Sequence, residues 1–233
     1  MGHRAARAAF SVVGLATAVA VWATLLGHGV AGNLLGAIII AFLLFYPAAL
    51  AHELGHAFAA IHYRQPIAAI AVAPFELRFR PLRLSLAAAH APAGTGGYVL
   101  YAGGGEPSRR AVGMIAAAGP LASLVLGVVA ALGGMILPLL APDLGLSPLV
   151  VTPATDLPVP SSNPTRLLPS DAEVRAQIAL EARHQMFLTC SALSYALAVL
   201  STGLGLTNLI PLKGSDGETI LHCLLRPWSS GPA

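Results

Sequence analysis

The chain has 233 residues, 56% of them hydrophobic and only 10% charged, with a mean hydropathy of +0.74. A soluble domain typically carries about 25% charged residues, so this composition excludes an ordinary water-soluble fold and points to a lipid bilayer. A net charge of +3 is compatible with nucleic acid, but the basic residues follow the connections between apolar runs and are not gathered with aromatics, which excludes that partner.

Four uncharged apolar runs lie at about 10–27, 34–51, 111–141 and 186–210. Each is near or above the ~20 residues that a spanning helix needs. The first run, with its Arg-bearing start and Ala18-Val19-Ala20 triplet, also fits a signal peptide. Its apolar core is long for that and a second span follows almost at once, so a retained helix is expected. The second span continues as helix through His52-Glu53-Leu54-Gly55-His56 to about residue 61, with Pro47 as a potential kink one turn before the motif.

Residues 67–101 change character. Ile67–Val72, Phe75–Arg80 and Leu82–Leu86 have strand-like patterns separated by prolines, and Gly94-Thr95-Gly96-Gly97 leads into Tyr98-Val99-Leu100-Tyr101. A small β-sheet is predicted there. The stretch 142–184 reads as an external loop, rich in Pro, Ser, Thr and Asn up to 170, with an amphipathic helical pattern over 171–184 before the last span. No internal repeat is present. The expected fold is an all-α polytopic membrane protein, one domain over 1–233, with about four transmembrane helices and a small β-sheet at the cytoplasmic membrane interface.

Ten basic residues fall on one side of this topology: Arg4, Arg7, Arg64, Arg78, Arg80, Arg83, Arg109, Arg110, Lys213 and Arg226. Three, Arg166, Arg175 and Arg183, fall on the other. The positive-inside rule then places both termini and the 62–110 segment in the cytoplasm, with the cell membrane as the location. Cys190 and Cys223 have no C-x-x-C partner and read as free thiols.

The H-E-x-x-H pattern sets two imidazoles one helical turn apart on one face, where both can ligate one zinc ion, and holds Glu53 beside them. An acid and two metal-binding His residues at membrane depth are costly unless they line a functional polar cavity. A catalytic zinc site normally takes a third protein ligand. Asp216 is the leading candidate among the acids, because it follows the fourth span closely and on the same side as His52 and His56. His62 faces away from the ligand pair, and the remaining His residues lie outside both segments.

The segment Asn208-Leu209-Ile210-Pro211-Leu212-Lys213-Gly214-Ser215-Asp216-Gly217 resembles the N-x-x-P…D-G signature of the site-2 protease family of intramembrane zinc metalloproteases. His52-Glu53-Leu54-Gly55-His56 matches the other half of that family's metal site. Ala118-Gly119-Pro120-Leu121-Ala122-Ser123 and the glycine-bearing stretch Gly96-Gly97-Tyr98-Val99 resemble further family elements, and the likeness covers about 34–220. Ser215 departs from it, standing where leucine is common, as do Lys213 and Gly214 where proline or aliphatic residues are usual.

The resemblance implies a zinc endopeptidase that hydrolyses peptide bonds in or near transmembrane segments of protein substrates. One Zn2+ would be held by His52, His56 and Asp216, with Glu53 as general base. Asn208 would hold substrate or stabilise the oxyanion. The strand carrying Gly97, Tyr98 and Val99 would bind substrate, pairing with its exposed backbone. The rival readings are a membrane peptidase acting on surface-exposed segments, with a Glu as third ligand, a metal permease or other non-enzymatic metal-binding membrane protein, and a catalytically silent scaffold.

Overall fold

The computed structural model describes residues 3–86, 97–103, 105–142 and 171–225. Its elements run α1 (His3–Gly27), α2 (Leu34–His62), β1 (Ile67–Val72), β2 (Phe75–Phe79), β3 (Leu82–Leu86), β4 (Gly97–Tyr101), α3 (Arg109–Ile136), α4 (Asp171–Leu209) and α5 (Asp216–Leu225). A 3-10 turn, Leu137–Leu140, extends α3. Among the described residues α1 to α4 are each long and apolar enough to cross a membrane. The expected multi-pass helical architecture with one small sheet is therefore what the chain adopts.

Two boundaries differ from the sequence reading. The last spanning helix begins at Asp171 rather than 186, so the amphipathic stretch 171–184 is continuous with the span and is not loop. At 39 residues the helix is about 58 Å long, well beyond the ~30 Å hydrocarbon core. Its first turns carry Arg175, Glu181 and Arg183, which suit water rather than lipid. The second difference is α5, a ten-residue helix beyond the last of the elements that the sequence reading placed. The external loop over 143–170 and the Gly94–Gly96 turn lie outside the described residues.

The caps explain where helices start. Asn33 accepts a hydrogen bond from the Gly36 amide at the head of α2, and Ser108 accepts one from Ala111 at the head of α3. Helices in lipid pack through small residues. The core cluster of Val21, Leu25, Ala31, Ala37 and Ala196 brings α1, α2 and α4 together. α3 packs on α2, α4 and α5, and approaches α2 so closely that a side chain at Gly55 would meet the Ala118 carbonyl. Outward-facing Phe42, Leu43, Val125, Val128 and Val129 are exposed, as lipid-facing residues are.

The sheet is antiparallel throughout in the order β3-β2-β1-β4. Strand alternation and register put Phe75, Leu77 and Phe79 opposite Leu86, Leu84 and Leu82 on one face, and Arg78 opposite Arg83 on the other. Glu76 is buried on that second face, where the Arg78 guanidinium and the Tyr98 hydroxyl both donate to it. Burial and this hydrogen bond push the Tyr98 phenol up to about 12, so it stays a donor. β1 and β4 pack against α2, which brings an edge strand to the metal-binding motif.

Candidate metal centre

The centre is assembled where α2, α3 and α5 meet. On α2 the i, i+4 spacing stacks His52 and His56 on one face. Both are turned inward, His52 being 5% exposed. Opposite them α3 presents Ile115, Gly119 and Ser123, again at steps of four. His56 Nδ1 lies 2.8 Å from the Ile115 carbonyl and His52 Nδ1 lies 3.0 Å from Ser123 Oγ. Gly119 leaves the space between: a Cβ there would stand 2.2 Å from His56 Nε2.

A carbonyl only accepts, so the Ile115 contact requires the proton of neutral His56 to sit on Nδ1. The Nε2 lone pair then faces the centre. Asp216, the first residue of α5, completes it. Its Oδ2 lies 3.1 Å from His52 Nε2 and 3.4 Å from His56 Nε2, and the two Nε2 atoms are 3.2 Å apart. Burial pushes the Asp216 carboxyl up, but the neighbouring imidazoles outweigh it and hold the group below its usual range, in the ionised form a ligand needs.

These separations test whether a metal fits. Zinc with N and O ligands at about 2.0–2.1 Å in a tetrahedron sets neighbouring ligand atoms about 3.3 Å apart. The three donor atoms form a triangle with edges of 3.1, 3.2 and 3.4 Å, so the donor set and its spacing suit zinc with one position left open. They are also the one group of three or more potential ligands among the described residues.

The centre opens on a cavity of about 930 Å3, lined also by Glu53, Asn208, Gly97, Tyr98 and Val99. Glu53 is 7% exposed and lies across the start of β4, where a Cβ at Gly97 would come within 2.4 Å of its Oε1. Only glycine allows this approach, which sets an edge-strand backbone beside the carboxylate. Asn208 donates from its amide to the Leu204 carbonyl at 3.0 Å. Lys213 is exposed and lines the same cavity. His62 is exposed against the Tyr63 ring and stands apart from the centre.

All the residues given a site role from the sequence, His52, Glu53, His56, Gly97, Tyr98, Val99, Asn208 and Asp216, thus border one cavity, although Tyr98 commits its hydroxyl to Glu76. Sequence reading missed the roles of Ile115 and Ser123. The signal was present in the four-residue spacing of Ile115, Gly119 and Ser123, which matches the spacing of the His pair. Outer partners of metal-binding His residues fix ring orientation, and losing one typically costs about 10–100-fold in metal affinity. We expect Ser123→Ala to lower zinc affinity within that range, measured by competition with a chromogenic chelator. Unchanged affinity would remove Ser123 from the centre.

Residues 37–232 match the family model for Peptidase family M50. No curated protein and no solved structure matched the chain. The family match spans most of the sequence and includes His52, Glu53, His56 and Asp216, together with three of the four helices able to cross a bilayer. The chain belongs to peptidase family M50, the site-2 protease family, and is a multi-pass membrane metalloprotease.

Proposed function

We propose that the chain is an intramembrane zinc endopeptidase that hydrolyses peptide bonds in or near transmembrane segments of substrate proteins. The observation that carries this reading is the placement of the three converging ligand atoms at the end of a long apolar helix, beside an edge strand. His52, His56 and Asp216 hold the zinc ion. When bound, zinc supplies Lewis acidity, lowering the pKa of a water molecule and polarising a carbonyl.

Glu53 takes a proton from the attacking water as its oxygen bonds to the scissile carbonyl carbon. It delivers that proton to the amide nitrogen as the C–N bond breaks, leaving a new carboxyl and a free amine. The side-chain amide of Asn208 either holds the substrate backbone or donates to the oxyanion. The substrate is a membrane-spanning segment, locally unwound so that its backbone is accessible. In this reading the centre lies toward the cytoplasmic side of the cell membrane, which the excess of basic residues around the 62–110 connection supports.

β4 is the substrate strand in this reading. Among the described residues it is an edge of the sheet with no strand on its outer side, and an added strand is a common mode of peptide recognition. Adjacent residues of a strand point their N–H groups to opposite sides. One of Val99 and Leu100 therefore donates away from β1, and proline there removes an outward donor while sparing the inner ladder. Whichever of Val99→Pro and Leu100→Pro keeps a native melting transition and its zinc is expected to lose at least about tenfold in cleavage rate. An undiminished rate in both folded variants would end the strand-pairing idea.

The reading as a whole is tested with the purified, zinc-loaded chain in lipid nanodiscs. It is offered a panel of membrane-spanning peptides alongside water-soluble peptides of matched sequence around the bond. Cleavage confined to the spanning set is expected. Equal cleavage of the soluble set would instead identify a peptidase of surface-exposed segments.

A further inference from the structure

Asp216 reaches the centre from the first residue of a short helix whose body packs on α3, so the placing of its carboxylate depends on how that first turn is held. The connection from α4 to α5 is organised around one hydroxyl. Ser215 Oγ accepts from the Glu218 amide at 3.2 Å and from the Leu212 amide at 3.0 Å. It lies 2.7 Å from the Ile210 carbonyl and 2.8 Å from the Leu212 carbonyl, one of which takes its proton. One donor and two acceptor sites are all a serine hydroxyl has, and every one is used.

Glu218 answers from the other side. Its Oε2 accepts from the Gly214 amide at 2.7 Å, and Gly214 turns the chain with φ +85. Ser215 and Glu218 therefore form a reciprocal cap of the Ser-x-x-Glu kind, shifted by one residue at its second bond. Gly217 seats the same turn on the end of α4, since a Cβ there would lie 2.2 Å from the Leu209 carbonyl oxygen. Asp216 sits between cap and seat.

We propose that Ser215 and Glu218 are positioning residues of the metal centre, holding the Asp216 carboxylate in place before zinc arrives. The inference rests on Asp216 being a zinc ligand. Neither residue is one of the three converging donors; each acts through the first turn of α5. A ligand binds a partly ordered site with its affinity reduced by the fraction of molecules that are ordered. Removing the cap therefore weakens zinc binding without removing any donor atom.

The test is zinc affinity of the full chain in detergent, by chelator competition, together with amide hydrogen exchange over 209–219 in the zinc-free protein. Ser215→Ala and Glu218→Ala are each expected to weaken zinc binding about tenfold or more and to speed exchange in this segment. Ser215→Thr and Glu218→Gln, which retain capping atoms, are expected to restore both. Asp216→Ala serves as the reference and should weaken binding further than either. If Asp216→Ala is weak but Ser215→Ala and Glu218→Ala bind like wild type, the positioning role is refuted while the ligand assignment stands. Should Asp216→Ala itself bind like wild type, the ligand assignment fails and this inference falls with it. If Ser215→Ala does not fold, the Glu218→Ala and Glu218→Gln pair decides alone.

Discussion

Gly119→Ala is expected to abolish zinc binding while leaving the chain inserted and helical. In the interior of an ordinary helix this substitution is favourable by about 0.5–1 kcal/mol, so the expected sign is the reverse of the usual one. The cause is local. The new methyl would stand 2.2, 2.4 and 2.8 Å from three atoms of the His56 ring. The ring cannot retreat without losing its bond to the Ile115 carbonyl, and moving α2 away would open its close packing at Gly55 against Ala118. Overpacking of this kind costs about 1–3 kcal/mol, and here it is relieved by expelling the imidazole from the centre. Since a lost outer partner alone costs about 10–100-fold, displacement of a ligand should exceed the upper figure. Zinc content after dialysis against a weak chelator reads the result. A variant that keeps one zinc per chain would show that His56 is not where the ligand assignment needs it.

Glu53→Gln should stop turnover and spare the metal. The carboxylate is not one of the three converging donors, and glutamine has the same shape, so the packing of residue 53 across Gly97 is preserved. What is lost is the ability to accept a proton from water and return it to the leaving amine. General acid–base groups contribute about 10²–10⁴-fold, and we expect a loss of that size in the cleavage rate of membrane-spanning peptides, with zinc stoichiometry unchanged. A zinc-replete variant that cleaves as fast as wild type would show the proton is handled elsewhere and that the proposed mechanism is wrong.

Much of this was legible in the sequence because lipid imposes strong patterns. The cores of α1 to α4 were visible as uncharged runs, and β1 to β3 were visible as short segments bounded by prolines, with edges within a residue of those observed. The His pair and Glu53 followed from spacing on one helix. The early start of α4 was hidden because its first turns are polar and hydropathy registers only the part suited to lipid. α5 was hidden for a different reason. Asp216-Gly217 is a common turn pair, and ten residues give too little periodicity to overrule it. The Ser215-x-x-Glu218 spacing was the available signal, but Ser215 was read as a departure from a family pattern rather than as a cap. The partnership of α3 with the His pair needed the packing itself, because no local rule states which helix face will lie against another.

The order of the donors along the chain has a consequence for biosynthesis. Two arrive with the second helix and the third only after the fourth, beyond residue 215. A chain made only as far as α4 carries two of the three candidate donors. A centre that needs all three is therefore complete only once α5 follows the last of the four candidate spans, so metal loading would wait for the whole bundle.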